Sequence, residues 1–329
     1  MTALRREWPG AAEIIVTVDG ALIRALAYPA LVGSPMAGDR VLLNVSALEA
    51  GRVVKARYTP LQAMVASADE QGSASHELLR EADSLEGMPV VVADLHSALP
   101  AILAGLFSSY RTQPASSPRV CYVMQDGGAL PAWFSRTVAG LRSAGWLAAC
   151  VSTGQSFGGD VEAVTVHSGL LAARHVLGAD VVVVAQGPGN LGTGTRFGFS
   201  GVAAGEAVNA VSVLGGRPVA SLRMSFADAR PRHQGVSHHS LTAYGRVALA
   251  PCDVVVPGLP EPLGSRVAAS VAPLAARHRL VTVPVDGLSD ALRASPVRLS
   301  TMGRGLDEDL EYFLAAAAAG RHAASLLAA

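Results

Sequence analysis

The residues best suited to chemistry stand at the ends of apolar segments, where the sequence turns polar. Continuous apolar runs are typical of strands buried in a parallel sheet. Ligands of such sheets bind beyond the carboxyl ends of the strands, where successive loops converge. We therefore expect the polar residues after these runs to meet at one edge of a sheet. They are Asp94, His96, Asp126, Gly127, Gly128, Ser156, Gly158, Gly159, Asp160, residues 186–201, Ser225, Asp228, Arg230 and His233.

The segment 186–201, QGPGNLGTGTRFGFSG, is the strongest candidate for a binding site. Glycine allows positive φ and close backbone approach, so that successive amides converge on an anion. A helix opening at Ser200 or Gly201 would add the positive potential of its N-terminus, and Arg196 offers a fixed charge for phosphate or carboxylate. A long turn that merely needs glycine is the alternative. The predicted ligand-binding residues are Gly187, Gly189, Gly192, Thr193, Gly194, Thr195, Arg196 and Ser200.

Gly158 and Gly159 form a second, smaller candidate site for an anion, just before Asp160. The alternative is a glycine turn in which Asp160 caps the following helix. Aspartate and histidine side chains at strand ends can supply general acid–base or metal chemistry. A single strand-end aspartate more often caps a helix. The predicted catalytic residues are Asp94, His96, Asp126, Asp160 and His238.

The segment RPRHQGVSHHSLT (230–242) concentrates three histidines, His233, His238 and His239. Imidazole binds metal ions and shuttles protons near neutral pH. The spacing matches no standard metal motif, and a hydrogen-bonded surface loop is the alternative. Adjacent residues on an extended chain point to opposite faces, so we expect at most one of His238 and His239 to enter the pocket.

Several enzyme classes fit the sequence poorly. GPGNLG matches the dinucleotide fingerprint, but TGTRFGFSG separates it from the helix, and no acidic residue ends the next strand, RPVASLRMS. Lys55 is the only lysine and lies far from any glycine-rich loop, which argues against phosphate-loop NTPases and pyridoxal enzymes. No G-x-S-x-G elbow is present around the serines. The cofactor is therefore left undetermined, and dinucleotide-dependent redox chemistry is the weaker alternative.

Composition bounds the class of protein. The chain has 329 residues, a formal charge of zero and 16% charged residues, which excludes the basic footprint of a general nucleic-acid binder. Apolar runs are strand-sized, so no membrane association is expected, and the N-terminus lacks the apolar core of a secretory signal. Three scattered cysteines predict reduced, buried thiols and a cytoplasmic protein. A homo-oligomer is left open.

Strand and helix patterns predict two domains. Residues 1–66 are β-rich and barrel-like, 67–87 form a linker, and 88–329 form an α/β domain with a Rossmann-like, mostly parallel sheet flanked by helices. We expect loop 187–201 to lie at the carboxyl edge of that sheet, facing Asp94, Asp126 and Gly159. Helices are predicted over 99–107, 132–143, 161–177, 202–214 and 307–329.

Seven longer segments are spread along the chain: RYTPLQ, VVADLHSALPA, YVMQDGGALP, SFGGDVEAVTVHSGLLAARHVL, GPGNLGTGTRFGFSG, SFADARPRHQGVSHHSLT and STMGRGLDED. Together they resemble a bacterial family, domain of unknown function 3866. The resemblance covers most of the chain and implies membership but no activity. This chain departs from the family where Leu48–Gly51 runs almost directly into Arg52, without a second glycine-rich, threonine-containing segment.

The function that these residues favour is an enzyme acting on a small anionic metabolite, phosphorylated or carboxylated. It would be a non-redox transferase, hydrolase or isomerase, with the anion held by the glycine-rich loop and Arg196. A non-catalytic sensor or scaffold that uses the same pocket is the alternative.

Overall fold

The computed structural model describes residues 1–41, 43, 67–110 and 117–327. Its main feature is a sheet of eight strands, all paired in parallel. This confirms the predicted α/β class with a β-rich N-terminal region. The strands are β4 (Pro89–Val92), β5 (Val120–Gln125), β6 (Ala149–Thr153), β7 (Val161–Ala163), β8 (Val181–Gln186), β9 (Arg217–Ser221), β12 (Asp253–Gly258) and β13 (Arg279–Pro284).

The order of strands across the sheet is β13-β12-β9-β4-β8-β5-β6-β7. The first strand, β4, therefore lies in the interior of the sheet, between β8 and β9. From β4 the chain continues to β5, which lies on the β8 side of the sheet. From β8 it continues to β9, which lies on the opposite side, beyond β4. Connections that run in opposite directions open a crevice at the carboxyl ends of neighbouring strands. The loops after β4, β8 and β9 meet at that crevice.

Helices cover the sheet much as the sequence predicts. The helix predicted from residue 161 begins later, because Val161–Ala163 pairs as β7, and Thr165 rather than Asp160 forms the N-cap. Strand β12 was not predicted. The helices are α1 (Pro29–Val32), α2 (His76–Leu79), α3 (Leu99–Ser108), α4 (Arg136–Ser143), α5 (Val166–Leu171), α6 (Ala203–Val213), α7 (His238–Thr242), α8 (Leu263–Val271), α9 (Leu288–Arg293) and α10 (Leu310–Leu327).

The N-terminal region is an antiparallel meander of β1 (Ala3–Trp8), β2 (Ala11–Val18) and β3 (Ala21–Ala27). It touches the sheet domain through Trp133, whose carbonyl accepts a hydrogen bond from Trp8 Nε1 at 2.6 Å. Most of the further predicted strands, 38–47 and 51–58, lie outside the described residues, together with Lys55 and the Leu48–Arg52 departure.

Residues 67–87 run along the sheet domain. Leu79 and Leu85 belong to its hydrophobic core, and the Leu85 amide donates to the Leu214 carbonyl at 2.7 Å. Two short antiparallel pairs complete the strands: β10 (Met224–Ser225) with β11 (Gly235–Val236), and β14 (Ser300–Thr301) with β15 (Arg304–Gly305).

All three cysteines are free and buried, as predicted. Burial raises the pKa of the Cys121 thiol to about 11 and that of Cys252 to about 12, so both stay protonated at neutral pH. Among the described residues, no helix combines the length and the apolar character needed to cross a bilayer.

Candidate functional site

The glycine-rich loop after β8 consists of a hydrogen-bonded base and an exposed tip. Gly192 pairs with Phe199 in an antiparallel bridge, and the Thr193 amide donates to the Gly198 carbonyl at 2.7 Å. Residues 193–197 between them are exposed. Arg196 lies three residues from Phe199, so their Cα atoms are at most about 11 Å apart. The tip therefore presents the Arg196 guanidinium to solvent, while the hydroxyls of Thr193 and Thr195 bond to each other at 3.0 Å.

The base of this loop rests against the residues that follow β4. The Gln186 side-chain amide donates to the Asp94 carbonyl at 2.6 Å. A Cβ on Gly201 would lie 3.0 Å from the Asp94 Cβ, so only glycine fits without a shift. Phe199 stacks on the His239 ring, with centroids 3.7 Å apart and planes 7° from parallel. The loop thus lies at the carboxyl edge and faces Asp94, as expected.

Ser200 holds the base of the loop together rather than pointing outward. Its hydroxyl donates to Gln186 Oε1 at 2.5 Å and accepts from the Leu191 amide at 3.0 Å. Residues 200–202 form a helical turn that leads into α6, which confirms the predicted helix start. Ser200 keeps little hydrogen-bonding capacity for a ligand.

Asp94 is the carboxylate at the centre of the crevice, and it is 5% exposed. Its Oδ2 lies 3.4 Å from Arg223 Nη1 and 3.5 Å from His239 Nδ1. Arg223, also 5% exposed, contacts the same His239 nitrogen at 2.9 Å. Burial raises the pKa of Asp94, but His239 and Arg223 together outweigh burial and hold that pKa below its ordinary value. Asp94 is therefore an anion at neutral pH.

His239 Nδ1 is shared between these two partners. The nitrogen accepts from Arg223 when the ring proton is on Nε2, and it donates to Asp94 when the proton is on Nδ1. The ring can therefore take either tautomer without losing a charged neighbour. Arg223 was absent from the predicted site, although a lone arginine between the apolar residues of RPVASLRMS was a signal that could have found it.

Both adjacent histidines enter the site, contrary to the prediction. His238 and His239 open helix α7 instead of lying on an extended strand, so their rings converge, with centroids 4.4 Å apart. His233 completes the group, 5.1 Å from the His238 ring and 4.9 Å from the His239 ring. Burial, followed by the charges of Arg223 and Arg230, lowers the pKa of His233 to about 3. Burial, followed by the charges of His239 and Arg232, lowers the pKa of His238, so both rings are neutral at pH 7.

A chain of ion pairs, Arg230–Asp228–Arg304–Asp309, follows the histidine cluster. Arg230 binds both carboxylate oxygens of Asp228, at 2.9 and 2.7 Å. Arg304 bridges Asp228 at 3.3 Å and Asp309 at 2.8 Å, and Ser225 donates to Asp309 at 2.8 Å. Asp309 has no exposed surface. These ion pairs join the segment after β9 to the start of α10.

His96 is held by structural hydrogen bonds on both sides of its ring. Nδ1 contacts the Tyr122 hydroxyl at 3.0 Å, and Nε2 contacts Ser135 Oγ at 2.7 Å. Burial lowers the pKa of His96 to about 4. Tyr122 donates onward to the Gln186 carbonyl at 2.8 Å. The neutral ring therefore links the turn after β4 to β5 and, through Tyr122, to the end of β8. This arrangement gives His96 a positioning role.

Asp160 and the two preceding glycines lie away from the crevice. The Asp160 carboxylate accepts from the Cys150 amide at 2.8 Å and pairs with Arg142 at 2.7 Å, beside the start of β6. The amides of Gly158 and Gly159 donate to Glu162 Oε1 at 2.7 and 3.2 Å. The expectation that Gly159 faces the glycine-rich loop was therefore wrong. This turn binds a carboxylate, but the carboxylate is the protein's own.

Asp126 lies at the same edge of the sheet as the glycine-rich loop. It follows β5 and is partly exposed, and its Oδ2 accepts from the Gln155 amide at 3.2 Å. A Cβ on Gly128 would come within 3.1 Å of the Gly189 carbonyl, so the loops after β5 and β8 are in contact. Asp126 keeps capacity to bind a ligand.

A groove of about 430 Å³ lies at the opposite, amino edge of the sheet. Its two arginines are committed within the protein. Arg279 pairs with Asp253, and Arg217 donates to the Leu326 carbonyl at 3.1 Å. Arg279 is therefore neutralised, whereas Arg217 is held by a backbone carbonyl and has no carboxylate partner among the described residues.

These features define an α/β protein with a polar, charged crevice at the centre of a parallel sheet. The chain belongs to the family described as protein of unknown function (DUF3866), whose model matches residues 47–320. This confirms the resemblance seen in the sequence. No curated protein and no solved structure matches the chain.

Proposed function

We propose that this protein is an enzyme that acts on a small anionic metabolite by non-redox transfer, hydrolysis or isomerisation. The anion would be a phosphate or carboxylate group bound at the mouth of the crevice. The loop residues 189–195 and Arg196 would hold it, and the polar side chains behind the loop would carry the chemistry.

The observation that carries the proposal is the distribution of paired and unpaired charge. Arg223, Arg230 and Arg304 are paired with Asp94, Asp228 and Asp309. The exposed guanidiniums of Arg196 and Arg232 form no ion pair with any residue that the structure describes, which is also true of surface arginines elsewhere, such as Arg246. Arg196 differs from those in lying on the glycine-rich loop at the carboxyl edge of the sheet. A guanidinium without a carboxylate partner is suited to phosphate or carboxylate recognition.

The electrostatics at His238 support an anion at the same place. Besides burial and His239, the charges of Arg232, Arg223 and Arg230 all lower the pKa of His238. The potential at this ring is therefore positive. A positive cleft raises the local concentration of an anionic substrate and increases its rate of association.

The groups left for chemistry are few. His96, Asp160 and Ser200 are engaged in internal hydrogen bonds. His238 Nε2 is buried and has no hydrogen-bond partner in the described part of the chain. The Asp126 carboxylate accepts a hydrogen bond from the Gln155 amide at 3.2 Å. Asp94, ionised beside Arg223, fixes the position of His239. We assign acid–base or metal chemistry to His238 and Asp126, with Asp94 as a positioning residue.

Replacing Arg196 with alanine is expected to abolish anion-induced stabilisation while leaving the fold intact. An exposed loop charge contributes little to folding. An anion at about 100 times its Kd should stabilise the wild type by about 2.7 kcal/mol, a rise in Tm on the order of 5 °C. The measurement is thermal unfolding of both proteins with inorganic phosphate, pyrophosphate and a set of phosphorylated and carboxylated metabolites.

The matched control is Arg246→Ala, which removes an exposed arginine from a segment between α7 and β12. It should keep the full anion-induced shift. Equal shifts in wild type and Arg196→Ala would remove Arg196 as the anchor. A wild type that responds to none of the anions would contradict the anion site itself.

Consumption of the bound anion distinguishes an enzyme from a protein that only binds it. The anion that gives the largest shift should be consumed by the wild type, and His238→Gln should lose turnover while it retains the shift. Binding without consumption of any such anion would favour a sensor or scaffold over an enzyme.

A further inference from the structure

The three histidines near the mouth of the crevice form a compact cluster. Each ring offers one nitrogen, and the three nitrogens lie within 4.8 Å of one another. His233 and His239 are buried and His238 is half-buried. We propose that His233, His238 and His239 together bind one divalent transition-metal ion, such as Zn²⁺. The proposal goes beyond the anion site and does not depend on it.

The hydrogen bonds of the rings leave one nitrogen free on each. His233 Nδ1 is bound to Ser237 Oγ at 2.7 Å, and His239 Nδ1 faces Arg223 and Asp94. Nε2 of both rings is left as the ligand atom. His238 Nε2 is buried without a partner in the described residues. An unpaired buried nitrogen is unfavourable, and a bound ion removes that cost.

The geometry is close to that of a three-histidine metal centre. With Zn–N bonds of about 2.0–2.1 Å, neighbouring nitrogens around a tetrahedral ion are about 3.4 Å apart. One nitrogen from each ring already lies within 4.8 Å of the others, so a shift on the order of 1.4 Å brings three nitrogens to that spacing. Three protein ligands leave the fourth position open for water or a substrate oxygen, as in catalytic rather than structural zinc sites.

Asp94 supplies the outer partner that such a centre requires. Metal-binding histidines usually donate their second N–H to a carboxylate, which fixes the tautomer and the ring orientation. Asp94 Oδ2 lies 3.5 Å from His239 Nδ1. When Nε2 binds the ion, the ring proton is on Nδ1 and Asp94 accepts it. Arg223 then gives up its 2.9 Å bond to Nδ1 and turns toward Asp94 Oδ2, which lies 3.4 Å from its Nη1.

The charges around the cluster limit which ions it suits. Arg223, Arg230 and Arg232 disfavour a cation, and Asp94 and Asp228 offset part of that effect. The charge of Asp309 is largely neutralised by Arg304. Neutral imidazole ligands favour zinc, copper, iron and nickel over calcium and magnesium, which need oxygen ligands. The site should therefore select a transition ion.

The test is metal binding by the full chain, with the metal alone. The protein is stripped with a chelator, dialysed and titrated with Co²⁺ and Zn²⁺. Metal content is measured by mass spectrometry, and the ligand field by the visible absorption of Co²⁺. We expect one ion per chain with nitrogen ligation. His233→Ala and His238→Ala should each weaken binding by more than the 10- to 100-fold that loss of an outer partner typically costs.

His167→Ala is the matched control, because His167 is exposed on helix α5, and it should bind the ion as the wild type does. His238→Gln is the second variant, since a half-buried position tolerates an amide of similar size. Its melting temperature without metal separates loss of binding from loss of folding. A stripped wild type that takes up no stoichiometric ion, or folded histidine variants that keep it, would overturn the proposal. Neither result bears on the anion-induced shift at Arg196.

Discussion

Replacing Arg223 with methionine is expected to destabilise the fold by about 3–5 kcal/mol at neutral pH, the usual cost of removing one partner of a buried ion pair. The variant fills much of the same volume but leaves the Asp94 carboxylate buried without its cation. The Arg223 amide, which contacts Ser240 Oγ at 2.8 Å, is unaffected. Chemical denaturation of the wild type and the variant measures the difference.

This loss should depend on pH. In the wild type the folded-state pKa of Asp94 is depressed, so its contribution to stability is complete above about pH 4, its unfolded value, and is lost as the pH falls through the folded pKa. In Arg223→Met, burial is opposed by His239 alone, so the folded pKa of Asp94 rises and the penalty grows as the pH rises. The stability difference should therefore shrink between pH 7 and pH 4.

A double-mutant cycle provides the control. Arg223→Met combined with Asp94→Asn should cost less than the sum of the two single changes, because the double variant leaves no buried charge unpaired. Arg246→Met should change stability by less than about 0.5 kcal/mol, as is usual for surface positions. Additive effects in the cycle, or no pH dependence, would mean that the pair does not hold the crevice together.

Replacing Gly320 with alanine is expected to cost about 3 kcal/mol, at the upper end of the usual range for overpacking. Helices α3 and α10 approach so closely that a Cβ on Gly320 would lie 1.9 Å from the Ile102 carbonyl oxygen. A Cβ on Gly105 would lie 1.8 Å from the Ala317 carbonyl oxygen in the same contact. Backbone atoms cannot rotate away, so the helices must separate. Alanine's better helix propensity, about 1 kcal/mol, does not compensate.

Gly140→Ala on helix α4 is the matched control for this change. Its Cβ would meet only the Val297 side chain, nearest at the Cγ1 methyl at 2.6 Å, and that side chain can rotate. Thermal and denaturant unfolding should show a large loss for Gly320→Ala and a change within about 1 kcal/mol for Gly140→Ala. Equal stabilities for Gly320→Ala and the wild type would show that α3 and α10 pack more loosely than described.

The sequence predicted the elements of this site better than their arrangement. The glycine-rich loop, its position after a buried strand and the helix that follows are encoded within one short segment. The central place of β4 in the sheet depends on pairing with strands far along the chain, Val90 with Val182 in β8 and with Pro218 in β9, which local patterns do not record. The same holds for the contacts of Arg223 with Asp94, of Asp309 with Ser225 and of Arg304 with Asp228, which join segments distant in sequence.

Two errors have local physical causes. Val161–Ala163 is too short to show strand periodicity, so the segment after Asp160 was interpreted as helix, and Asp160 was placed at the wrong end of the sheet. His238 and His239 were treated as extended, whereas Ser237 caps a helix by accepting from the His239 amide. A serine followed by a helix start was the signal that could have placed both rings together.

The most direct test of the account is the location of a bound anion. A crystal structure should be determined with the anion that raises the melting temperature most. We expect it at the carboxyl edge of the sheet, bonded to Arg196 or to amides of residues 189–195 and facing His238. An anion bound instead in the groove at the amino edge, beside Arg217 and Arg279, would contradict the proposed site.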